Sequence, residues 1–134
     1  FHKCNYNDLF HHFLFIPFIG IPGQIYDWGA MSNWLAFYVC GIPGAIDYAV
    51  LAFQRLNMLL FINQKWLSAK LNMWFRMPGV LSVVFVFYTF RSELEVPFWA
   101  FLCQFLLIPF NVIFYAESSV MSYSESIHRK KKLL

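Results

Sequence analysis

Asp8-Leu9-Phe10-His11-His12-Phe13-Leu14-Phe15-Ile16-Pro17 sets two adjacent histidines at the mouth of a long apolar run. Apart from them, no charged or chargeable acidic or basic side chain occurs between Asp8 and Asp27. An apolar stretch of that length can cross the hydrocarbon core of a bilayer as a helix. The next apolar run embeds a carboxylate, Asp47, in Gly41-Ile42-Pro43-Gly44-Ala45-Ile46-Asp47-Tyr48. The two places are expected to face each other inside a small helical membrane protein.

Composition carries the same reading. The chain is 60% hydrophobic, 22% aromatic and 13% charged, whereas a soluble domain has about 25% charged residues. A water-soluble fold of 134 residues has too much surface for its volume to hide so many Phe, Trp and Leu side chains. The expected class is therefore all-α: a polytopic integral membrane helical bundle of about four transmembrane helices, kinked, with a basic interfacial segment. Cys4, Cys40 and Cys103 are scattered, and none has metal-ligand spacing, so neither a metal nor a cofactor is expected. The absence of a starting Met suggests a processed chain or a fragment.

Four apolar segments divide a single domain over residues 1–116. The first, 9–26, is punctuated by Pro17, Gly20, Pro22 and Gly23 and is expected to kink. The second, 28–53, is interrupted by Gly41 to Gly44 and by Asp47. The third, 73–90, starts near Arg76, whose long stem can snorkel to the headgroups. The fourth, 96–116, has ordinary spanning length with Pro97 in its first turn and Pro109 inside. Between the second and third, residues 54–76 mix Arg55, Lys65, Lys70 and Arg76 with leucines and aromatics. That pattern suits a segment lying in the membrane interface, or else an extension of the second helix followed by a loop. Residues 117–134 read as a basic, solvated tail, and no internal repeat is visible. Trp28, Trp34, Trp66, Trp74, Trp99 and Tyr115 fit an interfacial belt.

Charge orients the bundle. With four spans, residues 54–76 and the tail with Arg129, Lys130, Lys131 and Lys132 share one side, while Asp27, Arg91, Glu93 and Glu95 lie on the other. Lysine and arginine collect on the cytosolic, matrix or stromal side of a membrane. Arg55, Lys65, Lys70, Arg129 and Lys130 are the expected contacts to lipid headgroups there. Nucleic-acid binding is not expected.

Antiparallel alternation also brings His11, His12, Asp47, Arg76, Asn111 and Glu117 towards one leaflet. Charges at membrane depth are costly and normally face a partner in the bundle interior; Asp47 with a histidine, or with Arg76, is the economical pairing. Asp47 could instead cap a helix restarting after Pro43-Gly44, and the histidines could simply touch headgroups. Lipid is expected in the grooves beside Pro22-Gly23 and Pro109, where kinked helices cannot pack flush.

The His11-His12 pair entering an apolar span, the following span with central Asp47, and Asn72-Met-Trp-Phe-Arg76-Met-Pro-Gly79 opening a further span together resemble the TLC-domain membrane proteins, the group of ceramide synthases and translocation-associated membrane proteins. The resemblance covers roughly residues 8–90. It implies a truncated TLC-like bundle in which the paired histidines would match acyl-transfer histidines. The family's enzymes carry two closely spaced aspartates after the histidines, where this chain has Asp47 alone.

The leading expectation for function is a non-catalytic accessory subunit of a larger organellar membrane complex, packing against other subunits and ordering membrane lipid. The alternative is a lipid acyltransferase with His11 or His12 as general base, tuned by Asp47. An organellar inner membrane, mitochondrial, is slightly favoured for location. Lys131-Lys132-Leu133-Leu134 resembles a dilysine signal and keeps the endoplasmic reticulum as the alternative.

Overall fold

The computed structural model describes residues 6–132, with the side chains of residues 6–8, 10 and 11 outside the described set. Within it the chain is helical, and no strand occurs among the described residues. Seven α-helices follow in order: α1 Tyr6–Phe15, α2 Ile21–Ile25, α3 Ala30–Ala36, α4 Ile42–Arg55, α5 Phe61–Leu71, α6 Met77–Thr89 and α7 Phe98–Lys132. π-helical turns at Ile16–Gly20, Phe37–Gly41 and Asn72–Arg76 fuse the first six into three rods, α1–α2, α3–α4 and α5–α6.

The cause of each π turn is visible in the sequence beside it. Every one is followed, two residues on, by a proline: Pro22, Pro43 and Pro78. Proline has no N–H for the carbonyl four residues back, which is Phe18, Val39 or Trp74, inside the π turn in each case. The chain widens there to five-residue spacing instead of breaking: Ile21 N–H donates to the Ile16 carbonyl, and Met77 N–H to that of Asn72. A glycine follows each of the three prolines, so Ile21-Pro22-Gly23, Ile42-Pro43-Gly44 and Met77-Pro78-Gly79 form a short repeat. No repeat was expected, because three residues recurring at unequal spacing are easily missed.

The rods run alternately up and down. Phe15 stacks on Phe110 and Tyr26 meets the edge of Trp99, which sets the first rod antiparallel to α7. Trp28 packs edge-on against Phe87, and Tyr38 against Phe75, which sets the second rod antiparallel to the third. The core lies where α6 faces α7. Val80, Val83, Val84 and Phe87 form one helical stripe, and Ala100, Gln104, Ile108, Val112 and Ala116 recur every fourth residue on the facing helix. The Cβ that Gly79 lacks would lie within 2.6 Å of three Tyr38 ring atoms, so this glycine lets the second and third rods touch. Gly29, at φ +58°, turns the chain between the first two rods, a conformation glycine adopts without strain.

Three helices are long and apolar enough to cross a membrane: Ala30–Arg55, Phe61–Thr89 and Phe98–Lys132. The fourth expected span is represented by a shorter apolar helix, His12–Ile25. Two further expectations change. Residues 61–76 are not a loop after an extended second helix: α4 ends at Arg55, and α5 passes through its π turn into α6. The combined helix Phe61–Thr89 is about 43 Å long at 1.5 Å per residue, longer than the roughly 30 Å hydrocarbon core of a bilayer. The basic segment 117–132 is helical: α7 continues to Lys132, largely exposed, with α5 packed along α7. Trp28 also leaves the expected aromatic belt. It is 3% exposed and its indole N–H donates to the Pro22 carbonyl at 3.0 Å, whereas Trp34, Trp66, Trp74 and Trp99 are exposed.

Candidate functional site: a polar chain beside a laterally open cavity

Arg76 closes the third π turn and is the hub of the polar groups inside the bundle. Its Nη2 donates to Asp47 Oδ2 at 3.2 Å. Its Nη1 donates to Asn72 Oδ1, one helical turn back. Asn72, itself buried, donates through Nδ2 to the Ser68 carbonyl at 2.9 Å. The run Ser68–Asn72–Arg76 follows i, i+4 spacing, which keeps the three on one face of the third rod. Asp47 reaches them from α4. With side chains 18% and 27% exposed, Arg76 and Asp47 form a partly buried pair. Such a pair cancels two charges that would each be expensive alone at membrane depth. Among the economical pairings, Asp47 thus takes Arg76.

Three of the remaining expected site residues, His12, Glu117 and Asn111, have described side chains. His12 is exposed on α1, and the side chain of His11 lies outside the described residues. Glu117 is exposed on α7. Asn111 and Arg76 both line a cavity of about 410 Å³ between the three rods and α7. Ile19 and Gly20 from the first π turn, Val39 and Cys40 from the second, and Arg76 from the third all contribute, with Ile108 and Val112 of α7 opposite. The three π turns therefore converge on one space, and π bulges often mark functional positions. Gly23 and Ile108, the neighbours of Pro22 and Pro109, are among its lining residues.

Gln104 was not anticipated, yet it is 5% exposed and donates through Nε2 to the Ile19 carbonyl at 2.9 Å, tying α7 to the first π turn. Its signal was present: it is an amide inside the otherwise apolar run from Phe98 to Phe110. A buried amide needs a partner, and Ile19 supplies one.

At the basic end, the expected headgroup contacts divide. Lys65, Arg129 and Lys130 line one groove with Leu60, Phe61, Ile62 and Glu125. Arg55 and Lys70 are exposed outside it. Among the described residues, no group of three or more His, Cys, Asp and Glu could hold a metal ion, and Cys40 and Cys103 are free. Leu133 and Leu134 of the dilysine-like end lie outside the described residues. No protein-family model, curated protein or solved structure matches the chain.

Proposed function

We propose that this chain is a non-catalytic integral membrane protein, an accessory subunit that packs against other helices of a larger organellar membrane complex and orders lipid around it. The observation that carries this reading is the second rod. In the apolar stretch of Ala30–Arg55 only 11% of the residues are buried within the chain. Trp34, Phe37, Ile42, Ile46, Tyr48 and Phe53 all point outward. An apolar surface of that extent on a helix of spanning length is stable against lipid or other helices and not against water.

Two features agree with it. The carboxylate that an acyltransferase would use to tune a histidine is held by Arg76 instead, in an arrangement suited to locking α4 to the third rod. The groove with Lys65, Arg129 and Lys130 over Leu60, Phe61 and Ile62 combines cations with apolar side chains, as anionic lipid at a membrane surface requires. The basic end would then face the matrix or cytosol.

Purification in mild detergent followed by native electrophoresis tests the proposal. The chain is expected to migrate with a larger assembly, and migration as a lone small species would contradict it.

A further inference from the structure

The cavity between the three rods and α7 has two properties that define an occupant. The first is its opening. Its lining includes Gly20 and Gln24 of the first rod and Ala36 and Cys40 of the second, all exposed. The mouth therefore lies between these rods, on the side of the bundle and not at its end. In a bilayer such a mouth meets lipid chains, and this inference rests on the membrane reading above.

The second property is its polarity. Most of the wall is aliphatic or aromatic, but it also carries Arg76 and Asn111, towards the end nearer the basic groups. Each carries a buried polar atom without a hydrogen-bond partner, Arg76 Nε and Asn111 Oδ1. One is a donor and the other an acceptor. Leaving either unmet in a low-dielectric interior is costly. The Arg76 charge is already matched by Asp47 at 3.2 Å. An anionic headgroup would have to compete with that carboxylate, whereas an uncharged hydroxyl can accept from one atom and donate to the other. A volume of about 410 Å³ lies in the range of small-ligand pockets, about 300–1,000 Å³, and suits one hydrocarbon chain better than two.

We infer that the cavity is a binding site for one chain of an uncharged, hydroxyl-headed lipid, entered sideways between the first and second rods, with the hydroxyl held at Arg76 and Asn111. Ala36 is one of the exposed lining residues at that mouth.

The test uses membranes containing the full chain and a monoacylglycerol carrying a chain diazirine and a terminal alkyne. After irradiation, label is expected in peptides bearing Val39, Cys40, Ile108 or Val112. Asn111→Leu, close in size but without the acceptor, should lower that labelling about tenfold, the equivalent of one buried hydrogen bond. Ala36→Trp should abolish it by filling the mouth. Unlabelled monoacylglycerol should compete at least tenfold better than the fatty acid of the same chain. Label confined to outward residues, label unchanged in Ala36→Trp, or equal competition by the fatty acid would each overturn the inference. Thermal melting of both variants in detergent must match the parent; where Ala36→Trp does not, Cys40→Trp replaces it at the mouth, and where Asn111→Leu does not, the competition against the fatty acid decides the headgroup. Alkaline carbonate washing of the same membranes separates the two levels. Retention of the chain with no cavity label sinks the lipid site alone, and release of the chain sinks the membrane reading with it.

Discussion

Asp47 and Arg76, twenty-nine residues apart, meet at 3.2 Å and join the middle of α4 to the π turn that divides the third rod. The contact depends on that turn. Pro78 forces the widened turn, and Arg76 is its last residue. The same guanidinium also holds Asn72, so one side chain organises two rods and one wall of the cavity.

Removing either partner leaves the other charge unmatched in a partly buried place. Asp47→Ala or Arg76→Ala is expected to destabilise the chain by about 3 kcal/mol, read as a lowered midpoint of thermal unfolding in detergent. The exchanged pair Asp47→Arg with Arg76→Asp should recover part of the loss. A single variant as stable as the parent would show that the pair holds nothing together.

Gly79→Ala drives a methyl into the Tyr38 ring, whose atoms lie at 2.2, 2.4 and 2.6 Å from the position it would take. Overpacking of this kind costs about 1–3 kcal/mol. Pairing it with Tyr38→Ala should make the second change cost less than it does alone. Strict additivity in that cycle, by the same melts, would contradict the close approach.

The last third of α7 should behave as helix. Backbone amides of residues 117–128 are expected to exchange with deuterium far more slowly than an unstructured segment, because α5 packs along them. Pro substituted at Ser122, whose carbonyl accepts from Ser126, should abolish the protection beyond it. Immediate exchange of this segment in the parent chain would contradict a continuous α7.

What could be read from the residues followed hydropathy and charge. The helical class came from the long apolar runs. Asp47 could be recognised as needing a partner because a carboxylate inside an apolar run is costly. Its choice of Arg76 over a histidine was not legible, since it depends on the register of two rods and on a π turn that shifts side-chain direction. The length of α5–α6 was hidden for a related reason. Arg55, Lys65 and Lys70 lower the local hydropathy, and hydropathy alone cannot separate a helix projecting beyond a membrane from one lying in its plane. Gln104 went unrecognised because attention to charge passed over a neutral amide.

The central claim is an alternating bundle embedded in a membrane, with the turn at Arg91–Glu93 on one side and the paired helices α5 and α7 reaching out on the other. Single cysteines at Ser92 and Ser126, in a chain otherwise free of cysteine and in sealed vesicles, test it most directly with an impermeant thiol reagent. The account predicts that the two positions are labelled from opposite sides. Labelling of both from the same side would contradict it.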